Sequence, residues 1–522
     1  MEVTNSSHGS VADLVLVNGD VVPLTLPTKR EQALAVGEGV IVAVGSNWEV
    51  EQLRGSKTEV IDLAGRTVLP GFIDSHVHFF LTATSYQSAQ LDGARTAAEA
   101  CYLIAQQAAR TPAGDWVYGF NYPSWELGRL PNMAELDAVS GDHPVFIAAD
   151  TFHSSAVNSR AFALLAPPVE LVGVQTDPET GEPTGCFVTD TAHFWAARKA
   201  YGALSDACIK RNFREAAGRA LRAGVTTLHC LDGQFVDGDR DVEVLLDIRE
   251  SLPLHTLVMY QTMDVQRVVH LGLPRIGGCL AIDGAGPELT ALFYDPYPGT
   301  PGVYGDLYIP EEKVDSFVQE AHDAGLQIAM HAIGDRAIDI LVDAYSKALR
   351  TNPRADCRHR VEHFYVPTDS AIERARELGL ALSMQPAFSW TGDLPGESLY
   401  GALWGPLRAN RAEPFSRLCA MGIVVAGGSD SPVSSIDPLL GIHSAVNNPN
   451  PIRRVGIEDA LRMFTINGAW TGHEEHARGS LAVGKAADIV VLDGDPYLEP
   501  DSIKDMQVCL TISAGEVRYA QL

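Results

Sequence analysis

The sequence of 522 residues has no uninterrupted apolar run of about 18 residues, which is the length that a membrane-spanning helix needs. Residues 1–10 are polar and lack both the basic start and the apolar core of a secretion signal. The eight cysteines are scattered and form no Cys-x-x-Cys pair, which is typical of reduced thiols and not of a disulfide framework. We therefore expect a cytoplasmic protein that makes no contact with a membrane.

Basic residues are also scarce. The chain has 39 Lys and Arg against 66 Asp and Glu, which gives a formal net charge of −27 at pH 7. A protein this acidic repels phosphate backbones and anionic lipids, so we expect neither nucleic acid nor membrane as a partner. The glycine pairs at 277–278 and 427–428 lack the spacing of a phosphate-binding loop, which argues against a bound nucleotide. We expect a small-molecule substrate instead.

Short apolar segments separated by turn residues occupy both ends of the chain. Residues 14–17 and 21–22 flank Asn18-Gly19, a dipeptide that favours a β-hairpin, so we predict that these two strands pair. The C-terminal part has the same character, with strands predicted at residues 488–492 and 509–512. Because the two ends resemble each other and differ from the middle, we predict that they form one small β-sandwich.

The middle of the chain alternates helix-like and strand-like segments, as parallel α/β folds do. Residues 311–324 have a helical pattern, Gly325 suits the left-handed position that ends a helix, and residues 326–330 are strand-like. The same helix, glycine, strand order recurs at residues 371–384 and 415–426. This repeat favours a (β/α)8 TIM barrel, and a doubly wound sheet is the alternative that shares the repeat.

We therefore predict three parts. Residues 1–68 and 479–522 form the β-sandwich, and residues 69–478 form the barrel. Residues from about 90 to 200 break the alternation and are rich in Trp, Tyr, Pro and Gly. We interpret them as an insertion that covers the mouth of the barrel, where loops of this fold carry the active site.

Five metal-binding side chains stand at the ends of predicted strands. His76 and His78 are two residues apart on one strand, so both imidazoles point to the same face. His331, His363 and Asp430 each follow a later strand-like segment. Since active-site groups of a barrel come from the C-terminal ends of several strands, we expect these five to meet. Imidazoles with a carboxylate suit Zn²⁺ or Fe²⁺.

With these residues in place, the sequence resembles the amidohydrolase superfamily and, within it, the YtcJ-like branch called amidohydrolase family 3. The resemblance covers nearly the whole chain and includes two weaker matches, at residues 150–161 and 282–286. The stronger matches are LPGFIDSHVHF (69–79), HAIGDRAID (331–339), RHRVEH (358–363), GGSDSPV (427–433), DPLLGIHSAV (437–446) and GSLAVGKAADIVVLD (479–493).

The resemblance implies roles for the five side chains. His76 and His78 would bind a first divalent metal ion, and His331 and His363 would face a second metal position. Asp430 would be both a ligand and the general base, and a histidine beside the metal, for which we take His331, would help to polarise the substrate. We expect zinc, with iron or manganese as alternatives, and either one ion or two.

Cys279 departs from the common pattern of the resembled family. Many relatives carry a lysine four residues before the segment that matches Asp283-Gly284, and that lysine, once carboxylated, bridges two metals. A thiolate can bind or bridge zinc, so one hypothesis is that Cys279 takes over as a metal ligand. The alternative is a buried small hydrophobic residue beside a single-metal site. We favour the ligand role.

The expected reaction is hydrolysis of a carbon–nitrogen bond in a non-peptide amide, a cyclic amide or an N-formyl amine. Water activated by the metal would attack the carbonyl while Asp430 accepts a proton and returns it to the leaving nitrogen. A deaminase of a heterocyclic amine would use the same site. A non-catalytic binding protein of the same fold is the third possibility, although such a protein has no chemical reason to keep five ligand-type residues.

Three further residues are candidates for contact with the substrate. His153 lies in the insertion within a resembled motif, Trp116 is an aromatic residue of the insertion, and His229 ends the strand-like residues 225–228. Each is also compatible with a purely structural role. Asp335 and Arg336, which follow His331, look like residues that orient it. A homodimer is one expected assembly.

Overall fold

The computed structural model describes residues 11–25, 29–286, 288–392 and 399–522. At its centre are eight short strands that are almost entirely buried, as expected for parallel strands covered on both faces. In chain order they are β1 Phe72–Val77, β2 Val225–Cys230, β3 His255–Val258, β4 Arg275–Ile276, β5 Gln327–Ala332, β6 Arg360–His363, β7 Ala381–Met384 and β8 Val425–Gly427.

The eight strands form two parallel arcs. β1, β2 and β3 make the first arc, and β4 to β8 make the second in chain order. Single parallel bridges join the arcs at both seams, Tyr260 with Ile276 and Val77 with Ser431. The predicted α/β class is confirmed, whereas pairing that continues around a closed barrel is not found among the described residues.

Helices alternate with the central strands as the sequence predicts. As predicted, a glycine follows the end of a helix and precedes a central strand in three places: Gly325 before β5, Gly379 before β7 and Gly422 before β8. The main flanking helices are Phe79–Ser85, Asp206–Arg222, Arg240–Ile248, Val265–His270, Glu311–Asp323, Asp335–Thr351, Asp369–Glu377, Phe415–Ala420, Pro438–Asn447, Ile457–Met463 and Ile466–Thr471. None of the helices in the described part of the chain is long and apolar enough to cross a membrane.

Two further sheets are built from the ends of the chain. One has the order Val40–Gly45, Ala33–Gly37, Ala12–Val17, Arg54–Asp62, and the other has the order Asp20–Val21, Thr67–Pro70, Ile489–Leu492, Val508–Ser513, Glu516–Ala520. Leu16 and Leu34 of the first sheet and Val68 and Val491 of the second belong to one apolar cluster. The second sheet therefore joins both ends of the chain, as predicted.

The predicted hairpin at Asn18-Gly19 is wrong. Strand Ala12–Val17 pairs with Ala33–Gly37 and Arg54–Asp62, whereas Asp20–Val21 pairs with Thr67–Pro70 in the other sheet. Asn18 adopts the left-handed φ of 57° that such a turn needs. Asn18-Gly19 does form a turn, but this turn connects strands of two different sheets.

The insertion forms its own six-stranded sheet. The strand order is Val174–Thr176, Pro183–Phe187, Ser155–Val157, Val145–Ala149, Val117–Tyr122 and Ala89–Gln90. Its aromatic side chains Phe120 and Phe146 pack in the same apolar cluster as Phe80 and Phe213, which follow and precede the first two central strands. The insertion is thus fixed to the central strands through a shared core.

A buried histidine pair lies outside the predicted site. His322 Nδ1 is 2.9 Å from His359 Nε2, and His322 Nε2 is 2.7 Å from the carbonyl oxygen of Asn352. The backbone N–H of Ile328 donates to His359 Nδ1, so this nitrogen carries no proton and the ring is neutral. Burial, reinforced by neighbouring positive groups, lowers the pKa of His359 to about 3. With each ring nitrogen bonded, the pair is a structural element.

The depressed pKa of His359 predicts acid sensitivity. In the unfolded chain this histidine binds a proton near pH 6.5, while the folded state keeps it neutral, so stability is lost as the pH falls below 6.5. At pH 5 we expect a loss of about 2 kcal/mol relative to pH 7.5 from this group. Urea unfolding of the wild type and of His359→Asn at both pH values measures it, because the variant lacks that part of the pH dependence.

The exposed His476 offers a control for this measurement. His476→Asn is expected to keep the full pH dependence of the wild type. An identical dependence in the wild type and in His359→Asn would contradict the assignment.

Candidate metal centre

The structure brings the six predicted ligands together at the C-terminal ends of the central strands. His76 ends β1 and His78 follows it, His331 lies in β5, and His363 ends β6. Cys279 and Asp430 lie on the segments that leave β4 and β8. The side chains of His76, His331, His363 and Asp430 are buried, and those of His78 and Cys279 are nearly so.

The ligand atoms form overlapping triads. Those of His76, His78 and Cys279 lie within 4.8 Å of one another, and so do those of Cys279, His331 and His363. A third triad combines His76, His363 and Asp430. The Cys279 Sγ is 3.8 Å from His331 Nδ1 and 3.7 Å from His363 Nε2. Cys279 is thus the shared member of two neighbouring triads.

Asp430 closes the cluster on the side of β1. Its Oδ1 is 3.2 Å from His76 Nε2 and 3.2 Å from His78 Nε2. Burial raises the pKa of Asp430, but the positive charge of His76 and the neighbouring imidazoles of His78 and His363 outweigh it and hold the pKa well below its usual range. The carboxylate is therefore ionised and available as a ligand or as a proton acceptor.

Three of the four ligand imidazoles have a hydrogen-bond partner on their outer nitrogen that fixes the orientation of the ring. His76 Nδ1 donates to Glu362 Oε2 at 2.7 Å, and His78 Nδ1 donates to the carbonyl oxygen of Leu231 at 3.0 Å. His363 Nδ1 donates to Gln385 Oε1 at 2.8 Å. In all three rings Nε2 is the nitrogen that faces the centre of the cluster, as in protein metal sites.

His331 uses the opposite nitrogen. Its Nδ1 faces Cys279, and its Nε2 lies 3.5 Å from Asp283 Oδ1. Asp283 is fully buried and accepts backbone N–H groups of Leu292, Ile333 and Gly334, so the carboxylate cannot move. Asp283 therefore holds the outer side of His331.

Glu362 is part of a buried chain of charges. Arg360 donates from Nε and Nη2 to the two oxygens of Glu362 at 2.8 and 2.9 Å, and both residues have no exposed surface. Burial raises the pKa of Glu362, but the charge of Arg360 and the hydrogen bond from His76 lower it overall. Arg360 Nη1 also donates to His229 Nδ1 at 2.9 Å. This series of contacts links strand β6 to His229 of strand β2.

A double glycine before Cys279 lets the thiol reach the cluster. Gly277 and Gly278 have φ of 97° and 59°, values that side chains rarely adopt. A Cβ at Gly277 would lie 2.0 Å from the carbonyl oxygen of Ala329, so the backbone passes β5 closely. Burial raises the pKa of the Cys279 thiol, but the charge of His76 and hydrogen bonds with His331 and His363 lower it well below its usual value. A lowered pKa favours the thiolate, which is the form of cysteine that binds metal.

Buried polar atoms of the cluster fit a metal ion. His76 Nε2, His331 Nε2 and Asp430 Oδ1 are buried and have no partner with hydrogen-bond geometry. Leaving such atoms unpaired is costly, and coordination of a cation removes that cost for the inward-facing His76 Nε2 and Asp430 Oδ1. Imidazole nitrogens, a thiolate and a carboxylate are the donors that zinc prefers. The residues present thus fit a divalent metal.

A large cavity of about 960 Å³ lies beside the cluster, between the insertion and the segment after β4. None of the six ligand candidates lines it. Tyr308 and Thr290 do, and their backbones pair with Ile282 and Gly284, on either side of Asp283. The residues that line the cavity therefore pair with both sequence neighbours of Asp283, the residue that faces His331.

The structure places the other predicted site residues in different positions. His153 lines the cavity, in agreement with a substrate-facing location. Trp116 is not brought to the site, since it stacks on Tyr118 with 6.1 Å between ring centroids and packs against the core. His229 is fully buried below the ligands on Arg360, so it cannot contact substrate.

The prediction that Asp335 and Arg336 orient His331 is wrong. Asp335 accepts the N–H of Tyr294 and a bond from Arg411, and Arg336 pairs with Glu311. The residues that do orient the ligands are Glu362, Gln385 and Asp283, which the sequence argument did not single out.

Comparison with known proteins agrees with this geometry. The model of the amidohydrolase family (Amidohydro_3) matches residues 59–519. The chain belongs to the amidohydrolase family. This amidohydrolase is 30% identical to YtcJ of Bacillus subtilis, with 98% of each chain covered. It is 28% identical to the N-substituted formamide deformylase of Arthrobacter pascens, covering 97% of this chain and 98% of that protein.

A solved structure extends the similarity to three dimensions. An uncharacterized metal-dependent hydrolase from Pyrococcus furiosus superposes with a TM-score of 0.76 at 26% identity, covering 93% of this amidohydrolase and 99% of that chain. The relation spans the terminal sheets and the insertion together with the central strands, so the amidohydrolase has the full architecture of that protein.

The role of Gln385 can be tested through metal affinity. Gln385→Met keeps the size of the side chain but removes the acceptor of His363 Nδ1, so the imidazole loses its fixed tautomer. We expect the metal affinity to fall about 10- to 100-fold, as for other partners of metal ligands. Competition with a chromophoric chelator measures it.

Gln327→Met is the matched control, because this buried glutamine bonds Arg358 and Thr471 at the opposite ends of the strands. It is expected to cost stability without changing metal affinity. An equal loss of affinity in both variants would contradict the role of Gln385.

Proposed function

We propose that this amidohydrolase cleaves a carbon–nitrogen bond in a non-peptide amide, a cyclic amide or an N-formyl amine, with zinc as the metal. One observation carries the proposal: Asp430 Oδ1 lies 3.2 Å from two imidazole nitrogens in a cluster that also offers a thiolate. A similar protein that covers the whole chain is named N-substituted formamide deformylase, which supports an N-formyl amine as substrate class.

The mechanism follows from the positions of the side chains. A bound divalent ion supplies Lewis acidity, which lowers the pKa of water towards neutrality and polarises a carbonyl group. His76, His78, His331, His363 and Asp430 would hold it. Asp430, ionised at neutral pH, accepts the proton of the attacking water and then returns it to the leaving nitrogen. His331, held by Asp283, borders the substrate oxygen.

We also infer that the two strand arcs act as one eight-stranded barrel. Parallel bridges at Tyr260–Ile276 and Val77–Ser431 support this, and so does the backbone N–H of Asp430, which donates to His76 O across the second seam. The second seam therefore lies between ligands of the same metal site. Any opening of it would separate Asp430 from the two histidines.

The position of Cys279 favours a site for two metal ions over a site for one. Its sulfur belongs to the triad with His76 and His78 and to the triad with His331 and His363, which is the position of a bridge. A thiolate can contact two zinc ions at once. We therefore infer that His76, His78 and Cys279 would hold one ion and that Cys279, His331 and His363 would hold another.

The catalytic role of Asp430 predicts a large loss of turnover on substitution. Asp430→Asn keeps the shape of the side chain but cannot accept a proton, so we expect kcat/KM to fall about 10²- to 10⁴-fold. Hydrolysis of N-benzylformamide by the metal-loaded protein measures it, with formate as the detected product.

Asp437→Asn is the control on the same segment. Asp437 caps the helix Pro438–Asn447 by accepting the N–H of Leu440, and asparagine caps a helix equally well. This variant is expected to retain wild-type turnover. If Asp430→Asn retained more than about a tenth of the activity, which is a smaller loss than general-base removal causes, the assignment would be wrong.

The bridging role of Cys279 predicts a change in metal content. Serine is a poor ligand for a soft site, so Cys279→Ser is expected to reduce the bound zinc from two ions to one per chain. Elemental analysis of dialysed protein measures the ratio. Cys208→Ser, on the helix Asp206–Arg222, is the control and should leave it unchanged. Two retained ions in Cys279→Ser would overturn the bridge.

A deaminase of a heterocyclic amine remains the second candidate, because it would use the same ligands and differ only in the leaving group. Detection of ammonia, as opposed to formate and a larger amine, over a substrate panel separates the two.

A purified protein without metal would point to the non-catalytic alternative. We also keep a cytoplasmic location and a homodimer as proposals, and light scattering in solution tests the assembly.

A further inference from the structure

The cavity beside the metal cluster has one apolar wall and one acidic wall. Leu171, Val188, Phe194 and Trp195, all from the insertion, make the apolar wall. Val188 is about half exposed and is therefore still open to cover by a ligand. Ligand sites commonly combine such an apolar surface with a few polar groups that set orientation.

Glu288 provides the polar group on the opposite wall. Its Oε2 is buried and has no hydrogen-bond partner, and Glu288 forms no ion pair within the described residues. Leaving a buried carboxylate oxygen unpaired is costly, so this position favours a ligand that brings a donor or a positive charge.

The surroundings of Glu288 are also acidic. Asp150, in the motif shared with the resembled family, has a raised pKa chiefly because of burial and in part because of the charge of Glu288. Asp306 also lines the cavity and has no ion pair among the described side chains. The excess of negative charge here agrees with the net charge of the protein, and both attract cations.

The positive groups of the cavity already have partners. Arg198 donates to the carbonyl and side-chain oxygens of Gln234 at 2.6 and 3.1 Å. Lys199 is 3.8 Å from Asp237 and lies over the ring of Trp195, 5.4 Å from its centroid. Because Arg198 and Lys199 already have partners, the buried oxygen of Glu288 is the charged atom of the cavity that still lacks a hydrogen-bond donor among the described residues. A cationic ligand therefore fits this cavity better than an anionic one.

We propose that this cavity binds the amine side of the substrate, and that the substrate joins an aromatic or branched alkyl group to a second, protonated nitrogen held by Glu288. The inference rests on the proposed function, since it assigns the substrate class of the same site. The apolar group lies against Phe194 and Trp195, and the scissile amide lies on the side of the cavity formed by Thr290 and Tyr308, next to the segment that carries Asp283.

Two matched substrates test the inference. One is the mono-formamide of 1,4-bis(aminomethyl)benzene, which carries a second amine, and the other is N-formyl-4-methylbenzylamine, which has a methyl group in its place. We expect the first to have a kcat/KM at least about tenfold higher, as for a hydrogen bond to a charged group. Glu288→Gln should remove this preference, because the neutral amide no longer attracts the second amine.

Glu179→Gln is the control, because this exposed carboxylate is in the insertion but not in the cavity. This variant is expected to keep the wild-type kcat/KM for both substrates. Equal use of both substrates by the wild type would overturn the inference, and so would an equal effect of Glu288→Gln on both.

Binding without turnover separates this inference from the proposed function. Calorimetry with 1,4-bis(aminomethyl)benzene and with 4-methylbenzylamine needs no hydrolysis, and the diamine should bind about tenfold more tightly in a manner that depends on Glu288. If neither formamide is hydrolysed but the diamine shows this dependence, the proposed function fails and the cavity assignment holds. Equal affinities for the two amines overturn the cavity assignment.

Discussion

The buried charge chain of Arg360, Glu362 and His76 is the interaction on which the site depends. Arginine and glutamate have no exposed surface, so each would be strongly destabilising without the other. Their two hydrogen bonds leave Glu362 Oε2 in one position, and that oxygen fixes the proton of His76 on Nδ1. His76 Nε2 therefore faces the centre of the cluster before any ion arrives, which reduces the reorganisation that binding requires.

The other ligand imidazoles are also held by a group on their outer side. A backbone carbonyl fixes His78, an amide fixes His363 and a carboxylate bound by three N–H groups faces His331. His363 and Asp430 also have left-handed φ values of 72° and 55°, which are unfavourable for residues with a Cβ. The surrounding strands hold this strain, so the ligand geometry is imposed by the fold and not by the local chain.

Much of this site could be predicted from the sequence, for physical reasons that particular residues illustrate. His76 and His78 were readable because strand periodicity places residues i and i+2 on one face, and His331, His363 and Asp430 because strand ends of a barrel converge. Arg360 and Glu362 offered the same i, i+2 signal, as two opposite charges on one face of β6. Gln385 directly follows β7 and obeys the strand-end rule, but an amide carries no metal signature.

Other features could not be read from the sequence because they depend on long-range pairing. Asn18-Gly19 predicts a turn, yet only the competition between two sheets decides which strands the turn connects. Trp116 and His229 have side chains suited to a ligand site, and packing alone assigns one to the core and the other to Arg360. The cavity lies between two segments that are distant in sequence, so Glu288 carried no signal of its own.

The strand Ile489–Leu492 has a consequence for how the molecule is made. Ile489 and Val491 pack into the terminal sandwich, while Val490 and Leu492 pack into the core of the central strands. This strand pairs with Thr67–Pro70, which leads directly into β1 and His76. During synthesis the strand Thr67–Pro70 therefore keeps an unpaired edge until more than four hundred further residues have left the ribosome. Such a late, distant pairing makes folding slow and gives chaperones a defined target.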